Sequence, residues 1–408
     1  RSDMTHFRIG FLPLVDAVLP IVAHESGIAQ KHGISIEMVK DPSWATVRDR
    51  LVYGQTDAAH LLAPLAIATS LGLDQTKTST PLAAPFMLGL NGNAITVSPR
   101  VAALLAANRN SFADVKQTGM RLAALAKTSA AEGRKLRLAV VHRHSSHNYM
   151  LRYWLAASGC DPETDVEIIV VPPPFIADAL KSGEVDGSCV GEPWSSVAVA
   201  RGVGQIIATT AQIWSRGVEK LLAFRKSLLN ERRDEVEALL RALHEAGHFV
   251  SDPANAMNVA DMLARPDYID QPAALIARAL TNRLALTQDD AEQPVRDFLF
   301  LHQEAANFPW RSQAMWLYSQ MVRWGHAPGT DAGFAAAADV FRPDIYRAAL
   351  EGTDAVMPGA SAKVEGAIRT PTGAATVSGR LILGPDSFFD GRNFDPDKPM
   401  DYLAAQTQ

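Results

Sequence analysis

The chain has 408 residues, 47% of them hydrophobic and 20% charged, with 39 Lys and Arg against 44 Asp and Glu and a net charge of −5. That length and apolar content support two or more cores, and the mild acidity with scattered basic residues argues against direct binding to nucleic acid or an anionic membrane. No apolar run of about 18 residues occurs, so no transmembrane helix is expected; the two cysteines, Cys160 and Cys189, match no metal spacing and no disulfide framework.

Residues Arg1 to Asp3 precede an internal Met4, and a first core strand is expected from Phe7 in "FRIGFLPL". Taken as a start, Met4 leaves no room for a signal peptide, and the expectation is a cytoplasmic protein. Short apolar runs then alternate with amphipathic segments through about the first 225 residues: "ISIEMVK", "AAHLLA", "NAITVS", "LRLAVV", "VEIIVV", "GSCVG" and "QIIATT" follow in turn. This alternation predicts an α/β fold with mainly parallel sheets covered by helices. Ser43 reads as the cap of a helix through "WATVRDRLVYG", with Val47 and Leu51 on one face and Gly54 ending it. Ser146 reads as the cap of a second helix, "SHNYMLRYWLAASG", stopped by Gly159.

Two stretches read alike. "LVYGQTDAAHLLAP" from Leu51 and "LKSGEVDGSCVGEP" from Leu180 share Leu51/Leu180, Gly54/Gly183, Asp57/Asp186 and Pro64/Pro193, each pair 129 residues apart. Each copy reads as helix end, Gly turn, short strand and a loop to a Pro at a helix start, where its missing N–H leaves nothing unsatisfied. Two such units predict two similar α/β lobes, with a ligand beyond the carboxyl ends of the strands, near helix N-termini that favour anions. After about Asn230 the pattern turns helical: Asn230 is the expected cap of "NERRDEVEALLRALHEAGHF", with Val236, Leu240 and Leu243 on one stripe. The Gly-, Ala- and Thr-rich segment at 353–379 is either draped over a lobe or flexible. The three histidines of "HRHSSH" lack an accompanying Cys or carboxylate pattern, so no metal site is expected.

Across "FLPLVDAVLPIVAHESGIAQKHGISIEMVKDPSWATVRDRLVYGQTDAAHLLAP", "LNGNAITVS", "SSHNYMLRYWLAASGCDPETDVEIIVVPPP", "CVGEPW" and "DGRNFDPDKPMDYL", the chain resembles the nitrate- and bicarbonate-binding proteins of ABC uptake systems. Within them it looks most like the NasS-type nitrate/nitrite sensors. The resemblance implies a two-lobed, periplasmic-binding-protein-like (type II) fold, each lobe a mixed sheet flanked by helices. Lobe I would comprise 4–93 plus 218–408 with a helical C-terminal extension, and lobe II 94–217. It also implies an anion site of Trp44, Asn93, His147, Gly191 and Lys220, with His60, Pro64 and Pro193 shaping the cleft wall. Asn93 departs from the Gln found there in some transport proteins.

This donor set suits nitrate or nitrite, whose oxygens only accept hydrogen bonds. Bicarbonate carries an O–H and asks for an acceptor, so a carboxylate is expected in a pocket selecting it, and Lys220 points to nitrate or nitrite. Trp44 at a helix start is equally a packing residue, and Lys220 taken alone reads as a solvated surface lysine; only the resemblance favours the ligand role. It implies a cytoplasmic sensor, with no enzymatic activity and no cofactor. The sensor would hold a NasT-like RNA-binding antitermination regulator until the anion releases it. The alternatives are a substrate-binding component of a nitrate transporter, and an enzyme like the thiamin-pyrimidine synthases, whose cysteine-rich iron motif has no counterpart here.

Overall fold

The structure is a computed structural model describing residues 4–74 and 78–406. The chain forms strands β1 (Thr5–Phe11), β2 (Ile34–Lys40), β3 (Ala58–Leu62) and β4 (Leu82–Met87), then β5 (Asn93–Val97), β6 (Leu136–Val140), β7 (Val166–Val170), β8 (Gly187–Gly191) and β9 (Gln205–Thr209), and finally β10 (Lys220–Arg225). One sheet has the order β2-β1-β3-β10-β4 and the other β7-β6-β8-β5-β9. The two orders correspond strand for strand. In each, a parallel trio is flanked by one strand of opposite direction, β10 in the first sheet and β5 in the second. Those two are the strands that follow each passage of the chain from one sheet to the other. β3, β5 and β8 are buried along their whole length, as expected for central strands covered on both faces.

The sequence repeat is the shared wiring of the two sheets. Gly54 and Gly183 both take positive φ, 77° and 78°, which ends the preceding helix at little steric cost. Asp57 then accepts from the Arg8 amide of β1 at 2.8 Å, and Asp186 from the Arg137 amide of β6 at 2.8 Å. The amides of Asp57 and Asp186 return the bond to the Arg8 and Arg137 carbonyls, at 2.8 and 2.7 Å. The carboxylate satisfies an amide of β1 or β6 one residue before pairing with β3 or β8 begins.

Local caps match the expectations in part. Ser43 accepts from the Thr46 amide and opens the helix Trp44–Val52. The helix Ser146–Ala157 is capped by Ser145, which accepts from the Asn148 amide, rather than by Ser146. Asn230 caps nothing, because the short helix Lys226–Glu231 already contains it and the long helix Arg233–Ser251 starts after Arg232.

That long helix lies on the helix Val18–Glu25, covering the first sheet. The helix Arg311–Arg323 packs on both Ala63–Leu71 and Ser146–Ala157, so one element touches both lobes. Beyond it, the 353–379 segment is ordered into short strand pairs, including Met357–Pro358 with Thr376–Ser378 and Thr372–Ala374 with Leu381–Leu383. The chain end is fastened to the linker before β10: Phe388 stacks on Trp214 with ring centroids 4.8 Å apart. Arg216 forks onto Glu304 and also holds Asp297 and the Pro385 carbonyl. No helix among the described residues is long and apolar enough to cross a membrane.

Candidate functional site

Asn93 is the first residue of β5 and pairs with Gly191; Lys220 is the first residue of β10 and pairs with Leu62. Gly191 and Leu62 are equivalent positions of the repeat, so both passages between the sheets deliver their first side chain to the same junction. Trp44 sits at the first position of its helix and His147 in the first turn of the helix Ser146–Ala157. Ser146 Oγ donates to the Val218 carbonyl at 3.2 Å, tying that helix start to the β10 approach. All five residues that the resemblance implies therefore converge from both sheets.

Lys220 is fully buried, at 0% exposure, so its charge must be matched within the protein. Its Nζ donates to Asp16 Oδ2 at 2.8 Å and lies 3.0 Å from Glu219 Oε1. Glu219 Oε2 accepts from Asn93 Nδ2 at 2.8 Å, and Glu219 Oε1 is 3.5 Å from His147 Nδ1. Asp16 Oδ1 is 2.7 Å from His60 Nε2, and the His60 ring stands 5.0 Å from the Trp44 ring. Lys220 Nζ is 5.8 Å from the centre of the Trp44 ring. A Cβ on Gly191 would come within 3.2 Å of Asn93 Oδ1 and 3.7 Å of Lys220 Nζ, so this backbone edges directly onto the cluster.

Asp16 and Glu219 are the members that the sequence reading left out. A carboxylate was associated there with a bicarbonate pocket, and here two carboxylates share the pocket with Lys220. Their signal was visible: Asp16 interrupts the apolar run "LPLVDAVLP", and Glu219 with Lys220 interrupts "GVEKLLAF". A charge inside a covered run requires a partner, and partners were the missing information. His60 is part of the cluster rather than only a wall. Pro64 and Pro193 are buried at the starts of their helices, Pro193 after a cis peptide, and shape the backbone.

Burial sets the electrostatics. It works against the Lys220 ammonium, yet Asp16 and Glu219 hold that group above its ordinary range. It also opposes ionisation of Asp16, but Lys220 and His60 prevail and keep this carboxyl well down. Burial pushes Glu219 up against the pull of Lys220. It pushes His147 well down, so that imidazole is neutral. Three buried polar atoms of the cluster, Trp44 Nε1, His147 Nδ1 and Asn93 Oδ1, have no hydrogen-bond partner, whereas Glu219 Oε1 is held by the Lys220 ammonium at 3.0 Å. Unpaired buried donors and acceptors together are costly, on the order of 1–3 kcal/mol each, unless a small polar ligand satisfies them.

A recess of about 590 Å³ opens beside Trp44, lined by Ala45 and Arg48 from one lobe and His142, Arg143 and His144 from the other. Arg48 is paired there with Asp49 and Asp74, which leaves Arg143 as a basic side chain at this recess. The histidines of "HRHSSH" serve separate ends: His144 meets the Tyr149 hydroxyl at 3.2 Å, while His147 faces the cluster.

Glu192, beside Gly191, is buried with Oε1 unpartnered and one weak bond, 3.4 Å, from the Ser196 amide to Oε2. Burial pushes its carboxyl up to about 7 from an unfolded value of 4.5. A raised folded value means that the stability is fully present below pH 4.5 and is lost as pH rises through 7. The expected loss is about 3 kcal/mol at pH 8. Glu192→Gln removes that penalty, so urea melts should show a variant more stable than wild type at pH 8 and indistinguishable from it near pH 4.5; equal curves at pH 8 would refute a buried, raised carboxyl.

Residues 1–264 match the family model of the NMT1-like family. The chain is 33% identical over 415 aligned residues to the nitrate import ATP-binding protein NrtC of Synechocystis, spanning 99% of this chain and 56% of that protein. It is 30% identical over 404 residues to the nitrate/nitrite binding protein NrtA of Synechococcus elongatus, spanning 97% of this chain and 84% of NrtA. It superposes on the crystal structure of the periplasmic nitrate-binding protein NrtA from Synechocystis with a TM-score of 0.86 at 26% identity, covering 99% of both chains. The two-lobed, mixed-sheet architecture that the sequence predicts is thus that of a solved relative. The chain belongs to the NMT1-like family, among the nitrate- and bicarbonate-type substrate-binding proteins of ABC uptake systems.

Proposed function

We propose that the chain binds nitrate or nitrite at the Lys220 cluster and presents it to an ABC permease. The observation that carries this reading is a fully buried ammonium at the lobe junction, surrounded by Trp44, Asn93, His147 and the Gly191 backbone, with the Trp44 and His147 ring nitrogens unpartnered. A planar monoanion with acceptor oxygens meets those needs, and the relatives named as nitrate-binding proteins support the choice of ligand. A few charge-assisted bonds, each about 1.5–3 kcal/mol, are enough for micromolar affinity, about −8 kcal/mol.

The two carboxylates make binding depend on protons. With Asp16 and Glu219 both ionised around one Lys220, the cluster carries a negative charge that repels an anion. Protonating Glu219, which burial already favours, removes it and adds an O–H donor. Nitrate affinity should therefore strengthen as pH falls and Glu219 takes up its proton, by at most about tenfold per unit for one linked proton. Calorimetry at a series of pH values with nitrate, nitrite, bicarbonate and sulfate tests both ligand and linkage; absence of nitrate and nitrite binding at every pH would end this reading.

A bicarbonate reading is favoured by one observation, the unpartnered acceptor Asn93 Oδ1 beside the Glu219 carboxylate, which an O–H would satisfy. The same titration separates it, because bicarbonate would then bind tighter than nitrate. The relatives include uptake proteins and import ATPases, which supports delivery over sensing. Sensing would instead place the protein in the cytoplasm, with a NasT-like regulator that nitrate dissociates, and gel filtration of the mixed proteins with and without nitrate distinguishes the two roles.

A further inference from the structure

Three histidines, two from the long helix and one from far along the chain, meet at one edge of the buried face of that helix. His244 and His248 lie one turn apart on the helix Arg233–Ser251, and His302 follows the short strand Leu299–Phe300. One ring nitrogen from each lies within 4.8 Å of the others, and the ring centroids are 4.6–5.2 Å apart. Asp354, after the helix Pro343–Leu350, lies between the two helical histidines, 2.8 Å from His244 Nε2 and 2.8 Å from His248 Nε2. His302 Nδ1 is buried and has no hydrogen-bond partner. Gly247 makes this approach available: a Cβ there would collide with the His302 ring.

We propose that His244, His248, His302 and Asp354 form a binding site for one divalent transition-metal ion of the zinc class, separate from the anion cleft. Two histidines at i and i+4 present their rings on one helix face, the spacing by which a helix offers two ligands to a single ion. Imidazole with one carboxylate suits zinc, cobalt, nickel or copper rather than calcium or magnesium, which prefer oxygen sets. Metal–nitrogen bonds of about 2.0–2.1 Å require the nitrogens to draw closer than they stand. The members able to move are the exposed ones: His248 is 49% exposed and Asp354 69%. The bound ion would join the long helix, the 299–302 segment and the loop after Leu350 in one staple. Spacing within "HRHSSH" had drawn attention to another histidine group, whereas this one is assembled only by the tertiary fold.

The test uses tag-free, full-length protein stripped with chelator, to which Co²⁺ is added. The expected result is one saturable equivalent with the visible d–d absorption of four-coordinate cobalt, displaced by Zn²⁺, and a melting temperature raised by Zn²⁺. His248→Ala, at a half-exposed position, and His302→Gln, which keeps a polar side chain, should each weaken cobalt binding by about tenfold or more. Both should leave the circular dichroism spectrum and nitrate titration unchanged. Absence of a saturable cobalt site in wild type, or a one-equivalent site with unchanged affinity in both variants, overturns the proposal.

Discussion

Lys220→Met abolishes measurable anion binding and lowers the folding free energy by about 3–5 kcal/mol. The resemblance implies Lys220 only as an anion ligand; the structure adds the stability cost. Lys220 is bonded to Asp16 and lies beside Glu219, so removing its charge leaves two carboxylates buried in one cavity. Methionine conserves the length and volume of the stem, so the loss reports the charge rather than a cavity. The sign with pH follows from the same geometry. Without the ammonium both carboxyls have raised folded values, so the variant is nearest to wild type in acid and falls away as pH rises through those values. Urea denaturation at pH 5 and pH 8 with parallel nitrate titrations checks both halves. A variant that binds nitrate normally, or that matches wild type in stability at pH 8, refutes the assignment of Lys220 as the charge centre.

Phe388→Ala costs about 3–5 kcal/mol although it is far along the chain from either sheet. Phe388 is buried at 2% exposure, stacks on Trp214, and contacts Trp316 at 5.1 Å and Tyr153 at 5.6 Å between ring centroids. Those partners come from the linker before β10, the helix Arg311–Arg323 that touches both lobes, and the helix that carries His147. Truncation therefore opens a cavity where the lobes are joined. A thermal melt shifted down by several degrees, together with faster proteolysis of the 353–406 region, is the expected outcome. A melt within a degree of wild type would show that the tail only rests on the surface.

The residues most legible in the sequence were those whose task is backbone geometry. Gly54 and Gly183 need left-handed φ, and Asp57 and Asp186 complete a strand end, so both units carry the same letters at the same spacing. The apolar runs marked the central strands for the same reason: both faces are covered. Capping was legible only to within a residue, because "SS" offers two hydroxyls and Ser145 has the extended backbone that a cap requires. Asn230 failed as a cap because a preceding helix, not apparent in the pattern, already occupied it. Asp16 and Glu219 were illegible as site members because a buried charge is explained by what lies opposite it, and that lies 204 positions away for the Asp16–Lys220 pair. The group of His244, His248, His302 and Asp354 was hidden for the same reason.

Asn93 and Lys220 open the two strands that follow the chain's passages between the sheets, with Gly92 at φ 90° immediately before one of them. They therefore stand at the fulcrum between the lobes rather than at its rim. A contact at a fulcrum has a short lever arm: a displacement of a few tenths of an ångström there swings the far edges by much more. An anion held between these two residues would govern the opening angle while travelling with neither lobe, and a small ion, too short to bridge two distant walls, could still set the posture of a 408-residue protein.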